Sequence, residues 1–316
     1  MPSLPNRLFT AYARLVIRRR RWGDTPAALA RRARRLFGAP PALQRLATRG
    51  LAVRPVHDAA TGVRGEWLTR PSNTSRTPTP PGVLLYVHGG GFVAGSAADH
   101  RTVTAALARA LGLPVFACDY RLAPEAPFPA ALDDVCAAYR WLLDRGAPDA
   151  PVAVAGESAG GGLALLLAQH ARDAGWAAPA CVAALSPWAD LTGQLPAVRA
   201  NEGRCAMFHP ENLPAFAGAY LGDVSPAHPR ASPLAAAADG LPPVLLQVGA
   251  DELLLDDARA MHARIRAAGG ESRLEEWPDV AHGWHLMAPL VPEASRAIDA
   301  VATFVRAALA RGAEAR

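Results

Sequence analysis

The sequence predicts an α/β fold built on a mostly parallel sheet, and two observations carry that prediction. Strand-like and helical runs alternate along most of the chain, and a glycine-flanked serine stands where one strand gives way to a helix. Eight runs read as strands: LAVRPVH, GEWLTR, GVLLYVH, LPVFACDY, PVAVAG, CVAALS, PPVLLQVG and SRLEEW. Helical segments are expected near 101–111, 130–145, 159–172, 254–268 and 293–310. This order predicts eight strands with helices on both faces of the sheet.

Composition limits the class of protein. The 316 residues are 51% hydrophobic and 19% charged, which suits one large globular core. No apolar run approaches the roughly 18 residues of a membrane span, and Arg7 and Arg14 interrupt any signal-peptide core. We therefore expect a cytoplasmic protein without a membrane span. The four cysteines have neither disulfide-framework nor zinc-site spacing, so no metal is expected.

The first 50 residues concentrate positive charge, with twelve arginines against the single acid Asp24. One interpretation is an anionic partner, either nucleic acid or a membrane surface. The other is a solvated face of amphipathic helices, because the arginines and the apolar residues fall on different helical sides. The arginine side holds Arg7, Arg14, Arg18 and Arg21, and the apolar side holds Leu8, Tyr12, Leu15 and Val16. We favour the solvated face, so no nucleic-acid partner is expected.

The stretch "GESAG", residues 156–160, lies between the strand PVAVA and a helix rich in small residues. A sharp strand-to-helix turn would lift the hydroxyl of Ser158 above the carboxyl edge of the sheet. Small neighbours allow the helix to approach the strand, and the helix N-terminus offers N–H groups to a developing oxyanion. Ser158 is therefore predicted to be a nucleophile rather than an incidental turn residue.

Nucleophilic serines need oxyanion donors, a base and an orienting acid. "HGGGF" follows the third strand, and its three glycines allow backbone N–H groups to approach a substrate oxygen closely. Asp251 is the first acid after the strand VLLQVG, so it is predicted to reach the same sheet edge as Ser158. His282 precedes a glycine in the loop after the last strand and is the predicted base. His285 lies in an apolar stretch and is expected to be a packed histidine.

The combined motifs resemble the hormone-sensitive-lipase-like family of microbial carboxylesterases within the α/β-hydrolases. The resemblance covers roughly residues 50–310 and rests on these stretches: HGGGF, DYRLAPEAPFPAALDD, GESAGG, SPWADL, ASPL, GADELLLDDA and AHGW. It implies a catalytic domain over 51–190 and 226–316, with a helical cap built from residues 1–50 and an insertion at 191–225. It also implies an oxyanion hole at Gly90, Gly91 and Ala159, with Gly89 completing the loop.

The sequence departs from the family pattern at three positions. Glu157 stands where Asp or Thr is usual, Ala126 stands where histidine is common, and Glu252 stands where proline often follows the catalytic acid. None of these departures removes the predicted Ser158–His282–Asp251 triad. The role of Glu157 stays open.

The predicted activity is hydrolysis of short- to medium-chain esters through an acyl-enzyme, without a cofactor. Phe92, Trp188, Phe208 and Phe216 are the candidate substrate-binding residues, although Phe208, Phe216 and Tyr220 could equally be cap packing. The same triad could instead remove an acetyl group or cleave an aryl amide. A non-catalytic binder is the remaining alternative, but such proteins typically lose the histidine. The partner is a small-molecule ester, and a homodimer is possible.

Overall fold

A computed structural model describes residues 1–71, 82–145 and 150–314. Within those residues eight strands form one sheet in the order β1-β2-β4-β3-β5-β6-β7-β8. The strands are β1 Ala52–His57, β2 Arg64–Thr69, β3 Val83–Val87, β4 Val115–Cys118, β5 Val152–Glu157, β6 Val182–Leu185, β7 Val244–Gly249 and β8 Ser272–Trp277. Each one coincides with a predicted run, within a few residues at its ends.

The sheet is mostly parallel, as predicted. β2 runs antiparallel to both β1 and β4, and the remaining neighbours pair in parallel. The central strands are apolar on both faces because successive side chains alternate between two cores. Leu84 and Tyr86 of β3 point into one core, and Leu85 and Val87 point into the other.

Ten α-helices lie in the described residues. They are α1 Leu4–Tyr12, α2 Pro26–Leu36, α3 Pro41–Ala47, α4 Arg101–Leu111, α5 Ala130–Arg145, α6 Ala159–Asp173, α7 Pro196–Ala200, α8 Asn212–Leu221, α9 Leu255–Ala267 and α10 Pro292–Glu314. Helices α4 and α10 cover one face of the sheet, whereas α5, α6 and α9 cover the other. The predicted helices on both faces are therefore confirmed.

Residues 1–50, called the arm below, form three helices and a π-helical turn at Ala13–Ile17. Helix α2 begins at Pro26, and its N-cap Thr25 accepts the N–H of Ala28 through Oγ1 at 3.2 Å. The arm packs into the core shared with α5 and α6 through its small and apolar residues, such as Ala33. The apolar side of the first helix is not buried, however, since Leu8, Tyr12 and Leu15 are all exposed.

The segment 191–225 contributes α7 and α8 between β6 and β7. Just after α7, the buried Asn201 donates its side-chain amide to the carbonyls of Ala250 and Glu252 at 3.1 and 2.8 Å. This contact ties the insertion to the loop that follows β7. All four cysteines are buried and unpaired, as expected from their spacing. Among the described helices, none is both long and apolar enough to cross a bilayer.

Candidate active site

Ser158 occupies a strained turn between β5 and α6. Its backbone has φ 55° and ψ −120°, a left-handed conformation that side-chain-bearing residues rarely adopt. The turn is held by its own N–H, which donates to the carbonyl of Leu185 at 2.8 Å. This sharp turn therefore places the hydroxyl above the carboxyl edge of the sheet.

The flanking glycines are required by close backbone approach. A Cβ on Gly156 would lie 2.2 Å from the carbonyl oxygen of Gly160, and a Cβ on Gly160 would lie 2.2 Å from that of Val87. No side chain fits at either distance. The turn, the helix N-terminus and β3 can meet only because both positions lack a Cβ.

His282 connects the serine to a carboxylate. Its Nε2 lies 2.9 Å from Ser158 Oγ, and its Nδ1 lies 2.5 Å from Glu252 Oε2. All three residues are buried. The Nδ1 proton therefore donates to the carboxylate, which leaves the Nε2 lone pair directed at the hydroxyl.

Both carboxylate oxygens of Glu252 are held in place. Oε1 accepts the N–H of Gly249 at 2.6 Å and the hydroxyl of Ser186 at 2.8 Å. Oε2 remains for His282. Because three donors surround a buried carboxylate, the orientation of Glu252 is fixed before substrate binds.

The prediction that Asp251 orients the histidine is wrong in this geometry. Asp251 is directed away from His282 and forms an ion pair with the exposed Arg204. The N–H of Glu252 bonds to the carbonyl of Gly249 at 3.1 Å, so the chain turns immediately after β7. This turn carries residue 252, rather than residue 251, to the interior side of the loop.

The surroundings of His282 favour its protonated form. Burial is the largest single influence and lowers the pKa of the imidazole, but the carboxylates of Glu252, Glu157 and Asp257 together outweigh it, with Glu252 contributing most. The pKa of His282 is therefore raised above its ordinary value. An imidazole of raised basicity is suited to accept the serine proton.

Glu157, whose role the sequence left open, places a second buried carboxylate beside the histidine. Its Oε1 lies 3.5 Å from His282 Nε2, and its Oε2 lies 3.6 Å from His100 Nε2. The carboxyl group is accommodated because its neighbour is glycine: a Cβ on Gly89 would come within 1.9 Å of Oε2. His282 thus faces carboxylates on both ring nitrogens.

The glycine loop contains free and occupied N–H groups. Among the described residues, the N–H groups of Gly90, Gly91 and Ala159 have no acceptor and are available to a substrate oxygen. Gly89 was grouped with the oxyanion hole as the residue that completes the loop, and its N–H donates to His100 Nε2 at 3.2 Å. Gly89 therefore supports the loop instead of offering a donor.

A cavity of about 570 Å³ opens above Ser158 and His282. Trp188, Phe208 and Phe216, three of the four candidate substrate-binding residues, line it. The arm supplies much of the remaining wall, through Pro5, Leu8, Phe9, Tyr12, Ile17, Leu36 and Phe37. The lining is predominantly apolar, which suits an uncharged ligand.

Phe92 does not belong to that wall, contrary to prediction. Its φ of 65° directs the ring into the core, where it stacks on Tyr220 at a centroid distance of 4.0 Å. Both rings are buried outside the cavity lining. Their contribution is to hold α8 against the glycine loop.

Two further histidines are structural. His88 Nδ1 lies 2.7 Å from the carbonyl of Gly89, and its ring stacks on Tyr120. His285 is buried and bonds through Nε2 to the side chain of Gln247 at 3.0 Å. Burial lowers the pKa of each to about 3, so both are neutral at physiological pH. The expected packed role of His285 agrees with this environment.

Sequence reasoning missed Glu252, the position of Glu157 and the contribution of His100. For Glu252 a signal existed, namely two consecutive acids after a strand, but the pattern does not show which of them the turn directs inward. His100 follows the glycine loop by nine residues and carries no local motif. Its contact with Gly89 appears only in the folded chain.

Comparison with known proteins agrees with this architecture. A family model described as the α/β hydrolase fold matches residues 84–286. An acetyl-hydrolase of Streptomyces hygroscopicus is 42% identical over 247 residues, which cover 78% of this chain and 81% of the relative. Two solved esterase structures are also similar.

One of them is a double mutant of an esterase, 37% identical with a TM-score of 0.85, covering 97% of this chain and 99% of its own. The other is an esterase from the bacterial hormone-sensitive lipase family, which is 35% identical and has a TM-score of 0.81. The match covers 98% of this chain and 100% of that esterase. The two solved esterases therefore share the fold of this chain over nearly its whole length. The chain therefore belongs to the hormone-sensitive-lipase-like family of the α/β-hydrolases, and it is a carboxylic ester hydrolase.

Proposed function

We propose that the enzyme hydrolyses uncharged esters with short to medium acyl chains, using Ser158, His282 and Glu252. One observation carries the proposal: a continuous buried relay, 2.9 Å from Ser158 Oγ to His282 Nε2 and 2.5 Å from His282 Nδ1 to Glu252, at the base of an apolar cavity. This is the arrangement that activates a serine hydroxyl.

In the acylation step, His282 Nε2 takes the proton of Ser158 as Oγ bonds to the ester carbonyl carbon. Glu252 stabilises the resulting imidazolium, and the N–H groups of Gly90, Gly91 and Ala159 stabilise the oxyanion. The imidazolium then gives its proton to the departing alkoxy oxygen, so the alcohol leaves and an acyl-enzyme remains.

Deacylation repeats these steps with water as the nucleophile. His282 removes a proton from water, the hydroxide attacks the acyl carbon, and the proton returns to Ser158 Oγ as the acid leaves. Ser158, His282 and the glycines at 90 and 91 line the cavity, and Glu252 supports His282 from behind it.

The cavity wall supports the substrate class. Aromatic and aliphatic side chains from the arm and from α8 surround the space above Ser158, and its volume of about 570 Å³ is limited. Glu157 lines the same cavity. Its carboxylate disfavours acyl groups that carry negative charge close to the nucleophile.

The same contacts support the proposed domain organisation. The arm and the segment 191–225 together cover the carboxyl edge of the sheet, and Phe37 packs beside Phe216 across them, with ring centroids 6.2 Å apart. We assign both segments to a cap over a catalytic domain formed by residues 51–190 and 226–316.

The test is hydrolysis of p-nitrophenyl acetate, butyrate, octanoate and palmitate by the wild type beside Ser158→Ala. We expect the rate to be highest on a short chain, and to fall in the variant by at least about 10⁴-fold. Faster hydrolysis of palmitate than of butyrate at matched solubility would contradict the chain-length assignment. Equal rates in the two proteins would contradict the nucleophile.

The acetyl-hydrolase name of the Streptomyces relative supports acetyl transfer to water as a second activity of the same site. An acetyl group is the smallest acyl chain the cavity would hold. Comparing p-nitrophenyl acetate with p-nitroacetanilide separates ester from amide cleavage. We expect the ester to be preferred, because alkoxide leaving groups need less protonation by His282 than amines do.

A further inference from the structure

Exposed large apolar side chains are confined to one part of the described molecule. Six of the seven lie in the arm, and the seventh lies on the rim of the catalytic cavity. They are Met1, Leu4, Leu8, Tyr12, Leu15, Leu46 and Leu290. Single exposed leucines are common on protein surfaces, whereas a contiguous exposed apolar patch marks an interaction surface.

Four of these residues form a continuous stripe. Leu4, Leu8, Tyr12 and Leu15 are spaced three or four apart along α1 and its π-helical continuation, so they share one side of the helix. Their exposed fractions are 65%, 63%, 49% and 56%. Buried contacts with the protein are made instead by Asn6, Ala13 and Ile17 on the opposite side.

The stripe reaches the mouth of the catalytic cavity. Leu8 and Tyr12 are exposed and also line the cavity, as does Leu290, which is 45% exposed. The same cavity contains Ser158 at its base. The outer apolar surface and the inner apolar wall are therefore continuous.

The charge beside the stripe selects the class of partner. The arm carries twelve arginines and one acid, and Arg7, Arg14, Arg19, Arg20 and Arg21 are exposed. A second copy of the chain docked on this face by twofold symmetry would bring arginines against arginines. An anionic surface satisfies both the leucines and the arginines, because it offers an apolar layer beneath negative headgroups.

We propose that the arm docks on an anionic lipid–water interface, with the stripe in the headgroup boundary and the cavity mouth facing the apolar layer. An ester dissolved in the lipid would then pass along Leu8 and Tyr12 to Ser158 without crossing bulk water. The docking itself does not depend on the activity, whereas the route to Ser158 rests on the proposed function.

The test is co-sedimentation of the full chain with vesicles of phosphatidylcholine, alone or mixed with phosphatidylglycerol, at physiological salt. We expect the wild type to bind the mixed vesicles and to bind pure phosphatidylcholine much more weakly. The variant Leu4→Gln/Leu15→Gln removes half of the stripe without touching the cavity lining. Its partition coefficient should fall by about tenfold or more, with hydrolysis of p-nitrophenyl butyrate retained.

Two triple variants test the contribution of charge to binding. Arg7→Gln/Arg19→Gln/Arg20→Gln should weaken binding to the mixed vesicles by roughly fivefold for each arginine. Arg54→Gln/Arg64→Gln/Arg266→Gln removes the same charge from exposed sites outside the arm and should bind as the wild type does. Ser158→Ala should also bind normally, which separates docking from catalysis.

Three results would overturn the proposal. The first is absence of sedimentation with the mixed vesicles at physiological salt. The second is equal weakening by the arm triple variant and its control. The third is a dimer in analytical ultracentrifugation that Leu4→Gln/Leu15→Gln converts to a monomer, combined with no vesicle binding, since that would make the stripe an interface between copies. If the wild type did not hydrolyse p-nitrophenyl butyrate, the proposed esterase function would be contradicted, and the docking result would stand.

Discussion

The base and the mouth of the catalytic cavity are built in opposite ways. At the base, Ser158, His282 and Glu252 are buried polar groups, and each is held by a hydrogen bond to another. At the mouth, Leu8 and Tyr12 are apolar and exposed, without a covering surface in the described chain. The base is thus completed by the fold itself, whereas the mouth is suited to a partner outside the chain.

A smaller contrast within the base has the largest consequence. Asp251 and Glu252 are adjacent carboxylates after β7, yet one pairs with an exposed arginine and the other with the buried His282. A surface ion pair is worth little, while a buried carboxylate on a catalytic histidine fixes its tautomer. Their positions in the fold, and not their chemistry, separate the two.

Among the variants that test this contrast, Glu252→Gln should have the largest effect. The amide cannot stabilise the imidazolium and favours the wrong histidine tautomer, so kcat/KM on p-nitrophenyl butyrate should fall by about 10³- to 10⁴-fold. Asp251→Asn is the matched control and should change the rate by less than about threefold. A large loss in Asp251→Asn with Glu252→Gln still active would reverse the assignment.

Gly90→Ala should be next in magnitude. A Cβ at this position, where φ is +115°, would lie 2.1 Å from the carbonyl oxygen of Ala94, so the loop must shift its N–H groups. We expect kcat/KM to fall by about 10²- to 10³-fold, as for loss of an oxyanion donor. Gly218→Ala in α8, where the space is open, should leave both rate and Tm close to wild type. Unchanged kinetics in Gly90→Ala would remove that loop from the mechanism.

Glu157→Gln should alter the pH profile more than the maximal rate. His282 acts as a base only when neutral, so the rate falls as pH drops through its pKa, which Glu252 and Glu157 raise against the effect of burial. Removing the Glu157 charge lowers that pKa and should move the acid limb of kcat/KM to lower pH. The exposed Glu211→Gln should leave the limb in place. An acid limb unchanged in both variants would show that Glu157 does not act on the histidine.

The smallest effect is expected at the mouth. Tyr12→Ala removes part of the apolar rim without contact to the relay, so the KM for p-nitrophenyl octanoate should rise by roughly threefold while kcat stays constant. Leu46→Ala, an exposed arm residue outside the cavity lining, serves as the control. A loss of kcat in Tyr12→Ala would mean that the base and the mouth are coupled.

The strand positions, the mostly parallel sheet, most helices and the Ser158–His282 pair could be predicted from sequence, because strand periodicity and the GESAG turn are local patterns. The acid could not, since the turn after β7 decides which of two adjacent carboxylates faces inward. Phe92 was misassigned because its ring stacks on Tyr220 in the core, a tertiary contact that no local sequence pattern indicates.

The arm shows a different limit. Its first helix has two outward sides, one basic and one apolar, and it packs through Asn6, Ala13 and Ile17. Asn6 donates to the carbonyl of Asp279 at 2.9 Å, a tertiary contact that hydrophobic periodicity does not register. The apolar side was therefore easy to recognise in the sequence, but its exposure was not.

The most direct test is proton NMR of the His282 Nδ1–H in protein labelled with ¹⁵N-histidine. A hydrogen bond of 2.5 Å to Glu252 should place this proton far downfield of the amide region. We predict that the resonance persists in Asp251→Asn and is lost in Glu252→Gln. If the resonance persisted in Glu252→Gln and was lost in Asp251→Asn, the assignment of Glu252 as the partner of His282 would be contradicted.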